Sequence, residues 1–268
     1  MKDFLGVAHD SRQWRDVSPR ANAQNHLVLY HGSDHCLRKP AYNHPNARED
    51  NDYGKGFYTT QDFDKACAWA VTMGHPEANV VNRYLLNTDG LTFFNFANTG
   101  ILAWCAEIVA HRGENLESLS EGPQLFVNKY KVNTEMSDVI IGYRADDSYM
   151  SIVEAFFDNL ITIEEMERMF RIGELGEQVF IKSEKAFENL IFDGYTDQIN
   201  NVEQYLLEDS TNRSKAETWL KKRRTQIFSG FSPQGITASM CIQNNYVFNT
   251  EYGFYEMKPF DTPGRDDM

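Results

Sequence analysis

The sequence predicts an α+β fold. Short apolar runs rich in β-branched and aromatic residues recur along the chain, segments of helical periodicity are interleaved with them, and Gly, Pro, Asn or Asp punctuates the junctions. A chain of 268 residues, 41% hydrophobic and 13% aromatic, has ample surface to bury and needs neither disulfides nor metal to fold. Its 39 acidic against 26 basic residues leave a net charge of −13, which opposes non-specific adhesion to nucleic acid or to an anionic membrane.

Residues 1–25 read as a polar arm. The first strand is His26-Leu27-Val28-Leu29-Tyr30-His31, stopped by Gly32-Ser33. Residues 40–52 are rich in turn formers and form a surface loop. Tyr53-Gly54-Lys55-Gly56-Phe57-Tyr58-Thr59-Thr60 is a short strand entered through two glycines. A helix begins near Asp64, capped by Asp62 or Thr60, carries Ala66, Trp69, Ala70 and Met73 as its apolar stripe, and ends at Gly74 and Pro76. Val80–Leu86 and Leu91–Phe94 are strands. Ile101–His111 is a helix, and a polar loop follows as far as Pro123. Asp138–Tyr143 is a buried strand and Ile152–Leu160 a helix. Thr162 stands three residues before Glu165, the spacing of a capping box. Gln178–Ile181 is a strand, Lys182–Leu190 a short helix, and Ile191-Phe192 opens another strand. Beyond Gly194, Asn200–Leu207 and Arg213–Gln226 are helical, Gly230, Pro233 and Gly235 make the middle of the remaining stretch loop-like, and Phe231–Met268 is rich in Gly, Pro, Asn and aromatic residues. The expected organisation is an arm (1–25), a main domain (26–194) and an extension packed on it (195–268).

Cys36, Cys67, Cys105 and Cys241 are dispersed, with no closely spaced pair of the kind that builds a zinc site. Lys221-Lys222-Arg223-Arg224 is either a solvated helix end or a contact for an anion or partner. No apolar run has the length of a secretory signal core or a membrane span. The expected location is cytoplasmic, or that of an effector exported without a recognisable signal.

Three segments place polar or aromatic side chains at strand edges beside turns: Leu29 to Ser33, Gly54 to Thr60, and Glu177 to Ser183. Individually, His31, Tyr58 and Gln178 read equally as a satisfied histidine, a half-buried strand tyrosine and an edge amide. Taken in order, with Ala66 and Trp69-Ala70, with Asp138 to Gly142 and Ala145-Asp146-Asp147, and with Ser183, Ala186, Leu190 and Phe192, the set resembles the ADP-ribosyltransferase superfamily. It is most similar to the diphtheria-toxin-like branch with a His–Tyr–Glu pattern and, within it, to the bacterial group called domain of unknown function 3990, over about residues 27–193.

That resemblance implies a split mixed β-sheet core with inserted helices, and NAD⁺ as co-substrate without a metal. In the resemblance His31 binds the adenosine-side ribose and the Gly32 backbone pairs with the nicotinamide amide. Tyr58 stacks on the nicotinamide, and Gln178 takes the place of the glutamate that holds the nicotinamide ribose. Ser33, Lys55 and Gly56 are further binding candidates. Asp146 and Asp147 are either helix caps or carboxylates on the acceptor side. Arg112 and Arg48 are candidates for the pyrophosphate or simply surface residues.

The chemistry such a site performs is cleavage of the bond between ribose and nicotinamide, which leaves positive charge on the sugar. Positioning and polar oxygens serve that step, and no enzyme nucleophile is required. Glutamine lacks the charge of glutamate, and Glu177 cannot replace it because successive strand residues face opposite ways. Glu at position 178 is then expected to raise turnover unless the glutamine amide makes an essential bond. The expected activity is transfer of one ADP-ribose unit to a macromolecular acceptor, protein rather than nucleic acid. An antitoxin or regulatory protein stands as a further partner class. NAD⁺ hydrolysis, and a binding module without turnover, are the alternatives. A cleft blocked by residues after 194, or Tyr53 packed inward, is the mark of the last.

Overall fold

The computed structural model describes residues 14–15, 25–45, 47–73, 79–112, 120–145, 147–172 and 176–259. Most of the expected arm, the helix stop at Gly74 and Pro76, Asp146 and residues 260–268 lie outside the described residues. In chain order the elements are β1 (His26–Ser33), β2 (Phe57–Thr59), α1 (Phe63–Met73), β3 (Val80–Asn87), β4 (Phe93–Asn95), α2 (Ile101–Arg112), α3 (Glu121–Tyr130), β5 (Val139–Tyr143), α4 (Asp147–Phe157), α5 (Ile163–Ile172), β6 (Glu177–Ile181), α6 (Glu184–Glu188), β7 (Leu190–Thr196), α7 (Val202–Phe228), α8 (Ala238–Gln243), β8 (Asn245–Asn249) and β9 (Phe254–Lys258). The fold is α+β, as the interleaved periodicities predict.

Two sheets form the centre. One is antiparallel in the order β1-β3-β7; the other is mixed, in the order β2-β6-β5-β4, with only the β4–β5 pair parallel. They meet where Tyr30 and Thr60 exchange two backbone hydrogen bonds of 2.7 and 2.9 Å. This junction sets the end of β1 beside β2. Helix α1 packs on β1, and Gly32 is what allows it: a Cβ there would lie 2.2 Å from the Ala66 carbonyl oxygen and 2.5 Å from the Ala70 nitrogen. Asp62 caps α1, accepting from the Asp64 amide at 2.8 Å and the Lys65 amide at 3.2 Å. Thr162 and Glu165 form the reciprocal capping box at the start of α5, at 3.1 and 3.4 Å.

Helix α2 runs through the main core, and every residue from Ile101 to Val109 is buried, Glu107 included. A helix apolar on nearly all sides belongs in an interior. Helix α3 was hidden in the sequence by its Gly122-Pro123 pair. Both fall in the first turn, where a missing amide hydrogen costs nothing because that group has no partner within the helix anyway.

Two other expectations change. The boundary expected at Gly194 falls within a strand: Gly194 sits inside β7 at φ 114, near the register shift at Asn82 to Tyr84, and β7 runs on to a buried Thr196. The main domain and the extension therefore share a strand. Residues 202–228 form one helix, because the polar stretch between the two expected helices contains neither Gly nor Pro. That stretch is also bridged by Gln204–Glu208 and Asp209–Arg213 pairs at 2.8 and 2.9 Å. The stretch after Phe231, rich in Gly, Pro and Asn, contains α8, β8 and β9. Its Tyr255 hydroxyl accepts the Leu102 amide hydrogen at 2.8 Å and so satisfies an orphan donor of α2. Lys129 and Tyr130 donate to the Cys241 carbonyl at 2.8 and 3.0 Å. The basic run on α7 divides: Lys221, Lys222 and Arg224 are exposed, whereas Arg223 is buried, paired with Glu165 and placed 5.0 Å from the Trp219 and Phe231 rings.

Candidate active site

The junction of the two sheets gathers the three motif residues. His31, near the end of β1, points its Nδ1 at the Tyr58 carbonyl oxygen, 2.8 Å away, and packs on Phe57 with ring centroids 4.6 Å apart. A carbonyl only accepts, so Nδ1 carries the hydrogen. Burial pulls the His31 imidazole down to about 4, and the ring is neutral at pH 7 with an acceptor lone pair on Nε2.

Tyr58 stands opposite Phe180 in the β2–β6 register, and their rings lie 4.7 Å apart. Cross-strand partners share a face, and so do residues two apart along a strand, so Gln178 projects to the same side as Phe180 and Tyr58. Glu177 is exposed, as the alternation requires. The Tyr58 hydroxyl donates to the Gly54 carbonyl at 2.6 Å and accepts the Tyr53 amide hydrogen at 3.0 Å, closing the glycine loop. Gly54 adopts φ 79, and a Cβ on Gly56 would meet the Phe180 ring at 2.3 Å. Burial raises the Tyr58 hydroxyl above the usual phenol range, so what the residue offers a ligand is a flat ring rather than an acid or base.

Gln178 is buried, and its Nε2 donates to Asp52 Oδ2 at 2.6 Å and to the Tyr143 carbonyl at 3.4 Å. With acceptors on that side, the amide orientation follows from chemistry. Its Oε1 makes no hydrogen bond with a described residue. Asp52 itself is 3% exposed; its Oδ2 also accepts the Ala145 amide hydrogen at 2.8 Å, and its Oδ1 pairs with Arg112 Nε at 2.6 Å. Arg112 Nη2 donates to the Ala145 carbonyl at 3.0 Å. Burial raises the Asp52 carboxyl, and the Arg112 guanidinium opposes that shift first among its partners.

The remaining expected residues fall as follows. Ser33 Oγ is engaged within its own turn, accepting the His35 amide hydrogen at 3.3 Å. Lys55 is half-buried in the glycine loop. Arg48 is exposed and pairs with Asp50 at 2.7 Å. Only the backbone of Asp147, in the first turn of α4, is described. Arg112 is not a surface residue: the last turn of α2 directs it onto Asp52, because a buried carboxylate needs a countercharge. Sequence reasoning passed over Asp52 as a loop residue. Its place at the head of the glycine motif was the available signal. Trp69 is buried beside Gly32 under the Arg144 guanidinium, 5.0 Å from its ring, and its Nε1 has no hydrogen-bond partner among the described residues.

Tyr53 packs inward. It is 3% exposed, its hydroxyl donates to the Tyr143 carbonyl at 2.6 Å and accepts from Trp104 Nε1 at 2.9 Å, and its ring lies between Tyr58 and Phe96.

Fold and site together define an α+β protein with two sheets joined at the Tyr30–Thr60 bridge beside a histidine–tyrosine contact, and a buried aspartate that orients a glutamine on the adjoining strand. Residues 27–192 match the family model described as "Protein of unknown function (DUF3990)", and the chain belongs to that family. No curated protein and no solved structure matches it.

Proposed function

We propose that the chain cleaves NAD⁺ at its nicotinamide–ribose bond and transfers one ADP-ribose unit to an acceptor. The observation that carries this reading is the state of Gln178: its amide hydrogens are held by Asp52 and Tyr143, and its carbonyl oxygen is left on the face that carries Tyr58. An oxygen held in that way accepts a ribose hydroxyl hydrogen and lends partial negative charge to a sugar that becomes cationic. The neutral His31 supplies Nε2 as a second sugar acceptor. Tyr58 offers its ring to the departing nicotinamide. The orphaned Trp69 Nε1, buried next to Gly32, is a donor that a bound ligand would satisfy. The likeness of the ordered motifs to the ADP-ribosyltransferase superfamily supports the same reading, and the split of the core into two sheets agrees with it.

The inward packing of Tyr53 favours a second reading, a module that binds NAD⁺ without turning it over. Incubating the purified chain with NAD⁺ labelled in the adenosine half, together with candidate proteins and nucleic acids, separates the readings. Nicotinamide release with label on a macromolecule is the expected result. Release without label means hydrolysis, binding without release means the module, and absence of binding sinks both proposals.

A further inference from the structure

We propose that His111, oriented by Glu107, takes the proton from the acceptor nucleophile, and that this acceptor is a hydroxyl-bearing protein side chain. The inference rests on the ADP-ribosyl reading above and assigns the step that Gln178 cannot perform. A glutamine is no base. His31 has one ring nitrogen committed to Tyr58. The Asp52 carboxylate is tied up by Gln178, Ala145 and Arg112.

One turn earlier on α2, Glu107 sits in a helix buried from Ile101 to Val109 and is itself 1% exposed. A carboxylate there is expensive, and its Oε2 has no hydrogen-bond partner among the described residues. Its Oε1 meets His111 Nε2 at 3.1 Å. A carboxylate accepts, so Nε2 carries the hydrogen and the lone pair sits on Nδ1, which makes no hydrogen bond with a described residue. The His111 side chain is 29% exposed, and its Nδ1–Cε1 edge lies 3.0 Å from where a Gly54 Cβ would stand. Gly54 is the residue whose carbonyl holds the Tyr58 hydroxyl, so the imidazole lies against the loop that anchors the hydroxyl end of Tyr58. Arg112, the next residue, reaches Asp52 and through it Gln178. A buried carboxylate steering a part-exposed imidazole beside a reactive position is how a general base is built.

The step balances as follows. The acceptor oxygen forms a bond to the ribose anomeric carbon, and the bond to nicotinamide breaks with its electron pair going to the ring nitrogen, which leaves neutral. The acceptor proton moves to His111 Nδ1, and the imidazolium is neutralised by Glu107 before it releases the proton to water. A carboxylate acceptor would give such a dyad nothing to do. The net charge of −13 turns the choice from nucleic acid to protein hydroxyls.

The test gives the full chain NAD⁺ with N-acetylserinamide or N-acetylglutamate amide at high concentration, and measures nicotinamide release and adduct separately. The expected result is an adduct on the hydroxyl compound. His111→Ala should lower its rate about 100-fold or more while NAD⁺ binding is kept, and added imidazole should restore it. Glu107→Gln, which keeps an acceptor for Nε2 but removes the charge, should lower kcat for adduct formation with KM for NAD⁺ unchanged, a split that a purely structural residue would not produce. Unchanged transfer in His111→Ala, an adduct on the carboxylate alone, or nicotinamide release with neither adduct overturns the dyad but leaves the ADP-ribosyl reading in place. Failure of the native chain to consume NAD⁺ at all overturns that reading, and the dyad with it.

Discussion

Glutamate at position 178 would set a second carboxylate 2.6 Å from Asp52 Oδ2, inside the protein, where an amide now donates. Gln178→Glu should therefore cost about 2–4 kcal/mol at pH 7 and lower activity, and the gap to the native chain should narrow as the medium is acidified. Denaturant melts at pH 7 and 5 check it; higher turnover in the variant would mean that the amide is dispensable. Tyr58→Ala removes the ring and should reduce NAD⁺ turnover by far more than it lowers the melting temperature. Equal turnover in the two proteins ends that role. His31 makes its own prediction. Its pKa is about 4 in the fold against 6.5 in the open chain, so its contribution to stability is complete above about pH 6.5 and is lost as pH falls through 4. The loss should amount to about 1–3 kcal/mol and be missing in His31→Gln. Asp52, raised by burial, works with the opposite sign, so only the difference between the two proteins isolates the imidazole.

Among elements, the α1–β1 contact is the least forgiving. A methyl at position 32 collides with backbone atoms of α1 rather than with a side chain that can swing away. Gly32→Ala should separate helix from strand, destabilise by about 2–3 kcal/mol and disturb His31 next door; an unchanged melt would show that the helix yields freely. The opening of α5 should behave more mildly. Thr162→Val removes one half of the capping box, costs about 1 kcal/mol, and leaves the His31–Tyr58–Gln178 region untouched. The sequence announced this cap through its spacing. It concealed α3, whose Gly122-Pro123 is a breaker anywhere except the first turn.

At the level of the molecule, the residues after 194 complete the fold rather than decorate it. β7 carries the chain past Gly194, Tyr255 satisfies an amide of α2, and α8 receives Lys129 and Tyr130. A chain truncated after Thr196 should lose its cooperative thermal transition and precipitate. A sharp melt near that of the full chain would mean that the extension is a separate unit.

The sequence by itself determined the α+β class, the major strands and helices through their apolar periods, the cap at Thr162 and a cap at either Asp62 or Thr60, and the three ordered motifs that mark the family. These are properties of neighbouring residues, whose geometry a few covalent bonds already constrain. Only the tertiary structure decided that Asp52, from a loop, reaches across 126 positions to orient Gln178, that Arg112 turns inward to balance it, and that the i,i+4 pair of Glu107 and His111 is set beside Gly54 with its carboxylate buried. The reason is physical: a charge becomes costly, and so acquires a partner, only where folding removes its water, and no local pattern reveals where that will be.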